Sequence, residues 1–440
     1  MSVDLSKLKC RVFDYGLFTF MAQALGPLNN GFGEVEFFKP WMDAFCEPSP
    51  RYVGRGVHGI KRIWEFWDDP DSVDTWVFFD VGDADKQQKL RSEGRAVFGT
   101  GGRCREDGKP GKASSELEID RVLFKKTLIK HGLAVPRWEV INGIDALRNM
   151  AITMPSPFNK GFWVKPNVGE RRVFETFFVE SYEKAASEID RIGHRLGVAR
   201  NVTEFIIETS IAGVEPGSDY FVSNGIPFET GLYGWEKKGD GYSCRVMKLD
   251  DMPKAIKTVN TAMLPVYKEY NIDGGISTEI RKGLSSIPYC IDGCFRMGNP
   301  PGGCISTIYT NLPQIVYAIA HGEEIEPEFR ADYVSEIPID SSKVLYEPIP
   351  FEFKEDDWMS IKIRTACRLN GQYYHIPFEH YGNTVAKAVG IGSTQEEAES
   401  NALDAAEKFE CPGKSYNKNT FNELADDIKE GEKYGLGGIL

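Results

Sequence analysis

Four residues in the 440-residue chain have the types and spacing for metal and phosphate chemistry. Asp292, Cys294 and Arg296 are two apart in Ile291-Asp292-Gly293-Cys294-Phe295-Arg296-Met297-Gly298-Asn299-Pro300-Pro301. In an extended strand, whose side chains alternate, all three face one way. The run Gly275-Ile276-Ser277-Thr278-Glu279-Ile280-Arg281 is a second strand, and Lys282-Gly283-Leu284-Ser285-Ser286 reads as the turn between them. If that turn centres between Leu284 and Ser285, Glu279 sits across from Cys290, on the face of Asp292 and Arg296. A one-residue slip turns it away. Carboxylates this close are tolerated when a cation lies between them, and Mg²⁺ is commonly held by one or two carboxylates plus phosphate oxygens. The chemically silent alternative is a buried hairpin with a salt-bridged arginine.

The elements that must position these residues come in an orderly series. Residues 1–113 read as an α/β unit: a first strand at Lys9-Cys10-Arg11-Val12-Phe13-Asp14, a helix over 18–25, a strand at 34–38 and a buried strand at 75–80. The loop Tyr15-Gly16-Leu17 is not a dinucleotide fingerprint, because G-x-G-x-x-G is absent. A P-loop is absent too, since Pro412-Gly413-Lys414-Ser415 has Lys408 where the first glycine belongs. The Gly- and charge-rich stretch 99–112 reads as a linker, and Ser115 to Glu118 has capping-box spacing for a helix ending at His131-Gly132. Phe162-Trp163-Val164-Lys165-Pro166 is a short apolar strand, and a lysine on such a strand needs a partner. Residues 181–196 are an amphipathic helix before the strand Phe205-Ile206-Ile207-Glu208. Asn224-Gly225 marks a hairpin turn, 235–243 a mobile loop, 253–270 and 311–322 helices, and 323–350 a linker. A final strand and helix over 388–409 precede a polar tail, 417–440, expected to be poorly ordered.

The order of these segments resembles the ATP-grasp ligases, and within them the phosphoribosylamine–glycine ligase family, from about residue 115 to 410. That resemblance implies an ATP-grasp fold, α/β and α+β, with a Rossmann-like pre-ATP-grasp domain at 1–113, the ATP-grasp domain at 114–335 and a small C-terminal domain at 336–440. It implies ATP as substrate and Mg²⁺ or Mn²⁺ as cofactor. The closing metal motif of the family is glutamate-x-asparagine-x-arginine; here Asp292 and Cys294 stand in its first two places, and sulfur is a poor Mg²⁺ ligand. Glu279 and Asp292 are the metal ligands implied, and Arg296 and Lys165 the catalytic cations. Arg121, Lys165 and either Arg171 or Arg172 take phosphates, Glu208 and Ile211 flank adenine, and Glu215 takes the ribose. Lys237, Lys238 and Arg245 are candidates for triphosphate or substrate carboxylate, or a solvated loop. The reaction implied is ATP-dependent joining of a carboxylate to an amine through an acyl phosphate, releasing ADP and phosphate. The family opens with a Gly-Gly-Arg-Glu-His loop that helps bind a phosphorylated amine, and this chain has Asp14-Tyr15-Gly16-Leu17-Phe18 instead, so the acceptor is expected to differ.

Composition bounds the alternatives. Apolar content of 41% and charged content of 27% are those of an ordinary globular protein. A net charge of −13 argues against a general nucleic-acid binder, leaving room for a local basic groove. Nine scattered cysteines suit reduced thiols in a cytoplasm, no apolar run approaches membrane-spanning length, and zinc is disfavoured because no C-x-x-C pair or nearby histidine accompanies Cys290, Cys294 and Cys304. No Ser/His/Asp or Cys/His set offers a protein nucleophile. A phosphotransferase on the same fold and a non-catalytic nucleotide-binding protein are the competing readings, and a homodimer is compatible with each.

Overall fold

The computed structural model describes residues 3–40, 49–167, 176–285, 287–344, 347–377 and 382–439. Its contacts divide the chain into two compact units. The first is Met1–Ser115, Pro216–Thr278 and Cys294–Leu440; the second is Glu116–Glu215 and Glu279–Gly293.

Short runs rich in buried β-branched and aromatic residues, edged by the charged pair of β3, make the parallel N-terminal sheet of the first unit: β1 (Lys9–Phe13), β2 (Glu34–Phe38), β3 (Lys61–Arg62), β4 (Thr75–Phe78) and β5 (Val97–Phe98), in the order β3-β2-β1-β4-β5. The order reverses between β1 and β4. In open parallel sheets such a switch point leaves a crevice at the carboxyl ends of the strands, and Asp14 and Asp80 follow those two ends. Phe13 anchors one face, with its ring 5.1 Å from that of Phe66 and 5.4 Å from that of Phe78.

The second unit holds an antiparallel sheet of β6 (Trp138–Asn142), β7 (Phe162–Pro166), β8 (Phe177–Val179) and β9 (Glu204–Thr209), in the order β6-β9-β7-β8. The helices Ile144–Thr153 and Tyr182–Leu196 cover one face, burying Leu147, Ile189 and Ile192 against Phe162, Val164, Phe205 and Ile207. Alternation therefore turns Trp163, Lys165 and Glu208 to the other face. The register Trp163↔Glu208↔Trp138 sets these three residues side by side across the sheet.

A larger sheet follows: β10 (Pro216–Ser223), β11 (Ile226–Pro227), β12 (Thr230–Lys237), β13 (Gly241–Lys248), β14 (Gly274–Arg281), β15 (Tyr289–Cys294) and β16 (Tyr333–Ser341). A small sheet of β17 (Ile349–Phe351), β19 (Ala366–Leu369) and β20 (Gln372–His375) lies beside β18 (Ile361–Ile363), β21 (Thr384–Gly392) and β22 (Lys414–Ser415) in sequence. The larger sheet runs β15-β14-β10-β12-β13-β16-β21-β18, with β11 on β10 and β22 on β16. The chain enters the second unit within β14, after Thr278, and leaves it within β15, after Gly293. Asn224 and Gly225 both take positive φ, 50° and 72°, as a two-residue hairpin turn requires.

Several expectations are corrected. The entry helix is two helices, Ser115–Ile119 and Arg121–Lys130, because the Asp120 carboxylate accepts from Leu123 N and caps the second one (2.9 Å). Gly99 to Gly102 is buried, with Gly101 N donating to Gln87 Oε1 at 2.7 Å, and is no free linker. The stretch 323–350 contains β16, and 235–243 is the β12–β13 turn with its flanking strands. The tail folds: Thr420–Glu432 is a helix whose Phe421, Leu424 and Ile428 are buried. Its spacing of apolar residues is that of an amphipathic helix, diluted by polar neighbours.

Candidate active site

The second unit collects the cations and carboxylates. Arg121 is the first residue of its helix, where Asp120 caps and Asn167 Oδ1 accepts from the Arg121 backbone N–H at 3.0 Å. Lys125 lies one turn on, the i, i+4 position of the same face. This helix approaches β15 closely because residue 293 is glycine: a Cβ there would stand 2.5 Å from Phe124 Cζ. Ala134 then pairs in parallel with Tyr289, and Cys290 N donates to Ala134 O at 3.0 Å.

At the centre is a buried ion-pair cluster. Glu208 meets Lys125 Nζ at 2.8 Å and Lys165 Nζ at 3.4 Å, and Lys165 also donates to the backbone carbonyl of Ile291 at 3.1 Å, next to Asp292. Burial pulls the Lys125 ammonium below its usual range, and the Glu208 carboxylate opposes that shift. The Cys290 thiol is pushed up to about 12, first by burial, with Asp292 and Glu279 raising it and Lys125 and Lys165 lowering it. The geometry thus sets Lys125 and Lys165 on Glu208, and Lys165 beside the backbone of Asp292. Arg121 Nη2 faces Asp292 Oδ2 at 3.7 Å, and its Nη1 donates to Thr176 Oγ1 at 3.2 Å.

The other expected residues have partners of their own. Glu208 is turned inward onto two lysines, so its carboxylate is an anchor for cations. Ile211 sits half-buried in the connection between β9 and β10. Glu215 accepts from Arg281 Nη1 at 2.6 Å. Lys237 lies in the first unit, paired with Asp427 at 3.2 Å and Glu423 at 3.7 Å of the C-terminal helix, which corrects its reading as a mobile-loop cation. Arg245 Nη1 likewise donates to Gly438 O at 2.8 Å. Arg171 and Arg172 lie outside the described residues. Arg296 is also corrected: β15 ends at Cys294, so the alternation that would align Arg296 with Asp292 stops short. In the first unit its Nε faces Asp80 Oδ1 at 3.5 Å, and its Nη1 donates to Met297 O at 3.1 Å.

Two features were missed in sequence. Lys125 was legible only as an i+4 neighbour of Arg121. Trp163 and Phe178 form an aromatic pair, ring centroids 5.1 Å apart, with Phe178 37% exposed. Trp163 is two residues from Lys165 on one strand, so both share a face.

Asp292 and Glu279 offer carboxylate oxygens, hard donors that suit Mg²⁺. Among the described residues no group of three His, Cys, Asp or Glu side chains could hold a metal ion. Cys294 Sγ points its weak contact at Arg296 O, 3.8 Å away. By donor chemistry the two carboxylates fit the ion and the thiol does not.

At the carboxyl end of β1, Asp14 is fully buried. Its Oδ2 accepts from the N–H groups of Gly16 (2.9 Å) and Phe18 (3.1 Å). Burial, with Asp80 adding, raises its carboxyl from 3.8 to about 7.

No protein-family model matches the sequence, and no curated protein matches it. Solved structures do match in shape. Phosphoribosylamine–glycine ligase from Thermotoga maritima superposes with a TM-score of 0.64 at 18% identity, over 94% of this chain and all of that one (100%). Biotin carboxylase from Campylobacter jejuni, in a β-γ-ATP complex, gives 0.61 at 10% identity over 96% and 100% of the two chains. The fold is ATP-grasp. N5-carboxyaminoimidazole synthetase from Staphylococcus aureus, complexed with ADP, gives 0.55 at 13% identity over 92% and 99%. Within this ATP-grasp chain the described cysteines are free thiols, and no described helix is long and apolar enough to cross a membrane.

Proposed function

We propose that the chain is an ATP-dependent ligase that joins a carboxylate to an amine and releases ADP and phosphate. The observation that carries this reading is the set of Lys125 and Lys165 held on Glu208, Lys165 on the Ile291 carbonyl next to Asp292, and Arg121 on Asp292, within an ATP-grasp fold. Trp163 and Phe178 offer an aromatic face for the base, and Ile211 and the backbone after β9 its edge. Lys165 and Arg121 take phosphate oxygens, Arg121 leaving Asp292 to do so. Glu208 acts through Lys125 and Lys165 by holding them, and Glu215 must exchange Arg281 for a ribose hydroxyl. Glu279 and Asp292 would hold Mg²⁺ or Mn²⁺, which when bound neutralises charge developing on the phosphates.

The chemistry balances without a protein nucleophile. A substrate carboxylate oxygen attacks the γ-phosphorus, the bond to the β–γ bridging oxygen breaks, and ADP leaves. The amine lone pair then attacks the acyl carbon, phosphate departs with the C–O electron pair, and the amine gives up a proton.

The acceptor amine in this proposal carries no phosphate at the β1 loop. Backbone N–H groups between a strand and a helix are the usual seat of a phosphate, and here the Asp14 carboxylate already takes those of Gly16 and Phe18. A second reading, nucleotide binding without turnover, is favoured by the pairing of Arg121 with Asp292 and by the thiol of Cys294. Hydroxylamine trapping separates the readings. A hydroxamate formed only with ATP, Mg²⁺ and a particular carboxylate supports the ligase. A phosphorylated product inert to hydroxylamine makes the chain a phosphotransferase, and bound ATP with neither product makes it a binding protein.

A further inference from the structure

A cavity of about 310 Å³ opens in the first unit between the β10–β13 hairpins and the helix Lys254–Glu269, at residues that the proposed reaction does not use. Its floor is polar and built. Tyr220 and Asn260 are 3% and 6% exposed. Asn260 Oδ1 accepts from Ser218 (3.1 Å), Tyr220 (3.3 Å) and Thr278 (3.2 Å), which ties the floor to β14 one residue before Glu279. Among the described residues the Asn260 NH₂ group meets only the Met252 sulfur, at 4.0 Å, so its donor capacity is not taken up by a strong acceptor. The lining also carries two cations, Lys248 and Lys257, and two carboxylates, Glu229 and Asp250, with Phe228, Leu249 and Leu264 as apolar wall. Lys257 gives one proton to Asp250 O at 2.7 Å and keeps two.

We propose that this cavity binds a small zwitterion of amino-acid size with an apolar side chain. Equal numbers of fixed charges of both signs favour a ligand that carries both, because a singly charged molecule is attracted by one pair and repelled by the other. The ligand carboxylate goes to Lys257 and the Asn260 amide, its ammonium to Glu229, and its side chain against Leu264, which is 36% exposed without it.

The test needs no nucleotide, so its outcome is independent of the ligase reading. Titration calorimetry on the full chain uses L-leucine and L-phenylalanine, with 3-methylbutylamine and 4-methylpentanoate as the single-charge counterparts of leucine. The expected result is binding of at least one amino acid, at least ten-fold tighter than either counterpart, and a loss of ten-fold or more in Leu264→Trp and in Lys257→Met. Thermal melts check that both variants fold; both change partly exposed side chains. Absence of binding by both amino acids, equal binding by a counterpart, or unchanged binding in both folded variants overturns the proposal.

Discussion

Lys125 Nζ and Glu208 Oε1 are 2.8 Å apart with 3% of each side chain exposed, and Lys165 closes on the other oxygen of the same carboxylate at 3.4 Å. Removing one member of a buried pair leaves its partner's desolvation uncompensated, which typically costs roughly 3–5 kcal/mol. Glu208→Gln strands two lysines, whereas Lys125→Met leaves Lys165 as a partner. Glu208→Gln is therefore expected to be the more damaging, by denaturant unfolding, and Lys125→Met combined with Glu208→Met less damaging than Glu208→Gln. Equal, near-zero effects of both single changes would contradict the account of the cluster.

Trp163 and Phe178 test the nucleotide face separately from its charges. A base stacked on an aromatic ring is worth roughly 1–3 kcal/mol, so Trp163→Ala should weaken ATP binding about ten-fold or more while leaving the unfolding midpoint nearly unchanged. Equilibrium dialysis with ATP reads the first and a thermal melt the second. Unaltered affinity would move the base elsewhere.

Asp14 gives a pH dependence of defined sign. Its carboxyl rises from 3.8 to about 7 in the folded chain, chiefly by burial. Between about pH 4 and 7 the folded state holds a proton that the unfolded state has released, so this group's contribution falls as pH rises through that window and levels off above it. Asp219, also buried and raised to about 7, acts in the same direction. Asp14→Asn should thus gain stability relative to the parent chain between pH 5 and pH 8, measured by urea unfolding. A relative loss over that interval would show that Asp14 is ionised and compensated.

The C-terminal helix makes a packing prediction. A Cβ at Gly431 would stand 2.1 Å from Trp235 Cη2, and Tyr233 OH donates to Leu436 O at 2.5 Å. Alanine in place of glycine normally favours a helix by about 1 kcal/mol. Gly431→Ala should instead destabilise, by roughly 1–3 kcal/mol from overpacking, with a red shift of tryptophan emission if Trp235 becomes exposed. A stabilised variant would mean that the tail does not pack there.

How much was legible in the sequence depended on whether a signal was local. The strand carrying Asp292, the strand carrying Lys165, the Asn224-Gly225 turn and the Gly322 helix stop all follow from alternation, composition and the φ > 0 tolerance of glycine and asparagine, and the structure has each of them. What escaped were partnerships made at long range. Nothing near Glu208 announces that it faces two lysines, one of them 83 positions upstream, and nothing near Lys237 announces Asp427. Arg296 escaped for a different reason: periodicity gives a strand's pattern but not its last residue, and β15 stops at Cys294.

The central claim is Mg²⁺-dependent turnover at Asp292. The measurement is ADP release from ATP with Mg²⁺ over pools of carboxylic acids and amines, comparing the parent chain with Asp292→Asn. The account predicts ADP and phosphate in equal amounts only with a particular acid–amine pair, reduced by roughly 100-fold or more in the variant, as expected when a group that stabilises developing charge is lost. ADP release that Asp292→Asn leaves unchanged would contradict it.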